Sequence, residues 1–162
     1  MQVRENYKLS QVKTIVNGII IGMLAGSTVS VFRWSIGHMT NLMRYLYINS
    51  IHHLSFLLTA IVINVIIGLL VGWFLKQQPD IKGSGIPQVE GQLLGEVDYG
   101  WWAVLWRKFI GGILAIGSGL YLGREGPSIQ LGSTLGQGVA QFTKQVGFVI
   151  AKSSFQVALQ PD

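Results

Sequence analysis

The sequence predicts an all-α integral membrane protein, and three observations carry that reading. Two long stretches hold no charge and are apolar enough to cross a bilayer. Charged residues make up only 12% of the 162-residue chain, against about 25% in an ordinary soluble domain. Glycine occurs 21 times, as in transmembrane helices, where small residues let backbones approach closely. Nearly half of the residues are hydrophobic (49%) and the mean hydropathy is +0.45.

The first 13 residues carry Arg4, Glu5, Lys8 and Lys13 and read as a solvated N-terminal segment. Residues 14–32 are then uncharged for 19 positions, close to the ~20 apolar residues that span a bilayer. The run is too long for a secretory signal core and has no clear cleavage site, so it reads as a retained helix. Gly18, Gly22 and Gly26 fall on one face of it, a pattern that suits close packing by another helix. The helix is expected to continue past Arg33 and Trp34. Residues 54–75 form the clearest span, 22 uncharged positions whose one strongly polar residue is Asn64. Asn64 is expected to bond across a helix interface. His52 and His53 precede the span without a carboxylate or further His at ligand spacing, and read as interfacial.

Residues 76–82, KQQPDIK, punctuate the chain as a turn. The glycine-rich segment after it is too short to span. Residues 101–109, WWAVLWRKF, place three tryptophans beside Arg107 and Lys108 and read as an interfacial belt with basic anchors. A short uncharged run, 110–123, leads to Arg124 and Glu125, and a second glycine-rich run covers 126–143. Basic residues in the N-terminal flank and in the 76–82 turn outweigh Arg33 and Arg44 between the spans. That balance favours a cytoplasmic N-terminus in a multi-pass cell-membrane protein.

Several function classes are excluded or disfavoured. There is no cysteine, so thiolate metal sites, disulfides and cysteine nucleophiles are impossible. The net charge of +5 comes from residues at segment ends rather than a clustered patch, which argues against nucleic acid as a partner. No Ser/His/Asp set, metal cluster or nucleotide loop supports an enzyme, and no cofactor is expected.

Two interruptions remain to be explained. Residues 83–87, GSGIP, and 123–127, GREGP, each set glycines ahead of a proline. Proline is accepted in the first turn of a helix because no hydrogen bond is lost there. Glycines leave backbone amides open to a ligand. The free amides and positive dipole end of such a helix start favour an anion. Broken, Gly/Pro-interrupted apolar segments are also where transporters place their binding sites. Two helix N-termini could thus converge on one anion. Glu125, a carboxylate at such a start, can itself stand in the anion's place and leave when protonated or displaced.

The stretch GSGIPQVEG followed by GREGPSIQLG resembles the CLC family of chloride channels and chloride/proton antiporters. The tryptophan-rich basic stretch before KFIGG fits as well, and the resemblance covers residues 12–143. It implies tilted and broken helices in inverted repeats, of which this chain would hold part of the first repeat only, as a partial transmembrane domain over 14–143. It implies a homodimer in the bilayer moving chloride and protons. By motif, Ser84 would coordinate chloride through its hydroxyl and Glu125 would be the gating and proton-carrying glutamate. Gly85, Ile86, Gly123, Arg124 and Gly126 would complete the chloride-binding helix starts. Arg124 and Glu90 would form a buried structural ion pair, which suits the cost of an unpaired charge inside a membrane.

The family pattern continues with a GxFxP segment, an inner-side tyrosine and an internal proton-transfer glutamate, none of which this chain shows. Residues 144–162 do not resemble the family's continuation and are expected to reflect a truncation or frameshift. The competing expectation is therefore a truncated membrane fragment of the same family that does not transport.

Overall fold

The computed structural model describes residues 2–51 and 53–142, with side chains from residue 15 onward. The 144–162 tail and His52 lie outside the described residues. Five α-helices follow one another: α1 (Gln2–Ser50), α2 (Leu54–Gln77), α3 (Ile86–Leu94), α4 (Trp101–Gly117) and α5 (Glu125–Phe142). A 3₁₀ turn, Pro79–Ile81, joins α2 to α3. No strand occurs among the described residues.

Two helices are long and apolar enough to cross a membrane, over Ile15–Ser50 and Leu54–Gln77. The expected continuation past Trp34 is present: α1 runs unbroken to Ser50. Arg33 and Arg44 therefore sit within this helix, not in a connecting loop. This removes them from the loop count behind the charge-asymmetry argument, which applies to residues flanking spans. Helix α3 has 9 residues, about 14 Å at the helical rise, and cannot cross a bilayer.

The 101–123 region differs from its sequence reading. In place of an interfacial belt followed by a short run, 17 residues form one helix. Trp102 is exposed, but Lys108 is buried at 5% exposure and Trp101 packs against the core. The reason is that α4 carries glycine where its neighbours need room. The Phe32 ring of α1 would stand 2.9 Å from a β-carbon on Gly112. Met39 lies as closely on Gly117.

Helix α4 packs on α1, α2 and α5, and α1 also contacts α2 and α5. One core gathers Phe32 and Ile36 of α1, Leu105 and Ile116 of α4, and Leu131 of α5. A second joins Phe74, Ile81, Tyr99 and Val104, with the Trp106 ring edge-on to Phe74 at 5.4 Å. The glycine face of α1 is not used this way. Gly18, Gly22 and Gly26 are exposed, and a β-carbon on any of them would meet nothing within 4 Å among the described residues.

Asn64 does bond across a helix interface. Its Nδ2 donates to the Tyr47 hydroxyl of α1 (2.9 Å) and to the Ala60 carbonyl (2.8 Å). Tyr47 in turn donates to the Ser118 carbonyl at the end of α4 (2.9 Å). One polar chain thus ties α2, α1 and the start of the 118–124 loop, satisfying groups that lipid cannot.

Candidate anion site at two helix starts

The α3 start is built by a left-handed glycine. Gly85 has φ 84° and ψ −7°, a conformation that costs glycine nothing and other residues much. It is the N-cap, with a proline in the first turn. The Ile86 amide donates to Ser84 Oγ (3.3 Å), and the Val89 amide to the Gly85 carbonyl (3.1 Å). Pro87 has no amide to satisfy. Helix α5 begins on Glu125, with the Ser128 amide donating to the Arg124 carbonyl (3.3 Å) and Ser128 Oγ to the same oxygen (2.7 Å). The amides of Glu125 and Gly126 have no acceptor among the described residues, the ordinary condition of a helix start.

The two starts meet. A β-carbon on Gly126 would stand 2.6 Å from the Ser84 carbonyl oxygen and 2.7 Å from Ser84 Cβ. Gly126 is buried. Only a residue without a side chain lets the GSGIP turn rest on the first turn of α5. Just behind, the carboxamide of Gln130 lies where a β-carbon on Gly85 would be. Segments 40 residues apart in sequence thereby share one locus, with two positive helix ends on it.

Of the residues singled out from sequence, Ser84, Gly85, Ile86, Glu125 and Gly126 come together here. Ser84, Arg124 and Glu125 are exposed, while Gly85 and Gly126 are buried. Gly123 is exposed in the connecting segment, and a β-carbon there would meet nothing within 4 Å. Arg124 and Glu90, expected as a buried pair, are both exposed, and among the described residues no ion pair joins them. No group of three or more potential metal ligands occurs among the described residues.

Sequence reasoning missed two residues that shape the site. Lys108 of α4 donates from Nζ to the carbonyls of Ile81 and Gly83, both at 2.8 Å. Read as an interfacial anchor, it is instead a buried cation serving the turn ahead of α3. Gln130, fully buried on α5, donates from Nε2 to the Asp80 carbonyl (2.8 Å). A signal was available for both: a charged or polar side chain within an apolar membrane segment needs an internal partner.

Fold and site together define a helical membrane protein in which two helix N-termini meet at one locus. The family model of voltage-gated chloride channels matches residues 67–156, and the chain belongs to that family. It is similar to the H(+)/Cl(−) exchange transporter ClcA of Vibrio cholerae serotype O1, in strains O395, M66-2 and N16961. Each is 37% identical over 123 residues, which is 74% of this chain and 26% of the relative. The chain thus spans about a quarter of the length of the curated relatives it matches.

Proposed function

We propose that this chain contributes to chloride transport across a membrane, as part of a channel or a chloride/proton antiporter. The observation that carries the reading is the contact of Ser84 with Gly126, which sets two helix starts against each other. A dehydrated chloride is held there by the Ser84 hydroxyl and by amides of Gly85, Ile86, Gly123, Arg124 and Gly126, with two helix dipoles favouring the negative charge. Glu125 opens α5 with its carboxylate at the same end. It competes with chloride for the helix start, and protonation or displacement of the carboxylate frees the position for the anion. No cofactor is required. The working protein is a homodimer in the cell membrane, with the N-terminus cytoplasmic.

The family match supports this reading, since residues 67–156 include both glycine-proline starts. The test is paired chloride and proton flux in proteoliposomes. Glu125→Gln should uncouple protons from chloride, or abolish gating; unchanged flux of both ions would remove Glu125 from this role. A second reading, a membrane fragment without flux of its own, is favoured by one observation. Ser84, Arg124 and Glu125 are all exposed, so the described residues wall the anion position on one side only. Flux indistinguishable from empty liposomes would select it.

A further inference from the structure

We infer that Lys108 and Gln130 are positioning residues for the α3 helix start, holding the 80–85 turn by its carbonyls so that the Ser84 amide is turned outward. The inference deepens the proposed function and rests on it only for the identity of the anion.

The turn is gripped from two helices. Lys108 of α4 takes the carbonyls of Ile81 and Gly83, and Gln130 of α5 takes that of Asp80. Both side chains are buried. Among the described residues Lys108 pairs with no carboxylate. A buried ammonium is costly unless fully hydrogen-bonded, and here its stabilising partners are main-chain oxygens of one turn. In a trans peptide the carbonyl and the following amide point in opposite directions, and the described chain has no cis peptide. Drawing in the oxygens of residues 80, 81 and 83 therefore turns the amides of Ile81, Lys82 and Ser84 the other way. Two of these close the 3₁₀ turn, Ile81 onto Gln78 (3.2 Å) and Lys82 onto Pro79 (3.0 Å). The Ser84 amide is left without an acceptor among the described residues, beside the contact with Gly126.

An alternative role for Lys108 is generic: a buried residue satisfied wherever carbonyls happen to lie. The two roles differ in what a substitution changes. Loss of a generic core residue loosens α4 and its neighbours together. Loss of a clamp frees the turn alone and alters which anion the site prefers.

The experiment compares the whole chain in lipid with Lys108→Met, Lys108→Arg and Gln130→Met. Amide hydrogen exchange is followed over the 78–90 region and over α2. In Lys108→Met, exchange in the 78–90 region should accelerate about tenfold while α2 is unchanged, with a smaller acceleration in Gln130→Met. Lys108→Arg, which keeps the charged donors, should restore most of the protection. Where wild type carries flux, the nitrate-to-chloride ratio in proteoliposomes should shift several-fold in Lys108→Met and return toward wild type in Lys108→Arg. Unchanged exchange in the 78–90 region, equal acceleration in α2, or an unaltered anion ratio in a variant with accelerated exchange would each overturn the inference. Absence of wild-type flux would sink the proposed transport reading instead, and the exchange measurement alone would then decide the clamp.

Discussion

Helix α2 is apolar over nearly its whole length, yet of its 24 residues only Ala60, Ile67 and Phe74 are buried. Helix α5 is glycine-rich and carries Gln130 and Thr134, both fully buried. In water the opposite would hold, because apolar surface is driven inward. In lipid no such force separates apolar side chains from their surroundings, and polar groups gain most from protein partners. The three buried residues of α2 are spaced seven apart, a single stripe toward its neighbours. Its exposed Leu69 and Val65 face outward as lipid-compatible surface. Thr134 bonds back to the carbonyls of Gln130 (2.9 Å) and Leu131 (3.0 Å). Gln130 reaches 50 positions back along the sequence to Asp80.

The contrast can be broken most sharply by truncating one leucine in each helix. Leu131→Ala, at a fully buried position, should cost about 4 kcal/mol from lost packing and the cavity left behind. Leu69→Ala, at 70% exposure, should leave the stability within about 0.5 kcal/mol. Equilibrium unfolding in mixed micelles measures both. Equal costs would mean that α2 is packed inside the protein.

Gly126→Ala comes next. Its β-carbon meets backbone atoms of Ser84, which cannot swing aside as a side-chain tip can. A destabilisation of about 3 kcal/mol is expected from overpacking. On the proposed function, separation of the two helix starts should be read as lost chloride binding before global unfolding. The same change at Gly22, where a β-carbon meets nothing within 4 Å, should be silent in the same assay.

A smaller effect is expected at the polar tie between the two long helices. Asn64→Leu removes the donor to Tyr47 and should cost about 1 kcal/mol. A cycle with Tyr47→Phe should show that the two losses are not additive. The smallest effect concerns Arg124 and Glu90. Exposed and without an ion pair between them in this chain, they should show a coupling of about 0.5 kcal/mol or less. A coupling of several kcal/mol would restore the buried pair expected from the motif.

The sequence was informative wherever the determining physics is local. Uncharged run lengths gave α2 and the middle of α1, whose ends at Gln2 and Ser50 lie well beyond the uncharged run of 14–32. The glycine-proline punctuation gave the α3 and α5 starts, because φ preference and the missing proline amide act within a few residues. Asn64 was legible as a bridging residue from its isolation in an apolar run. The 101–123 region was not: three tryptophans beside two cations suit a membrane interface and a packed helix equally well. What separates the two is whether Phe32 and Met39 of α1 fill the space over Gly112 and Gly117.

By itself, then, the sequence determined that this is a helical membrane protein with two glycine-proline helix starts and a glutamate at one of them. The tertiary structure alone decided that those starts touch, that Gly126 is the glycine permitting it, and that Lys108 and Gln130 hold the turn from behind. Helix starts and spans follow from residue type and spacing along one segment. The contacts of Lys108 with Gly83 and of Gln130 with Asp80 cross 25 and 50 positions. They exist only once α4 and α5 have packed against the turn, and no periodicity in the chain records that packing.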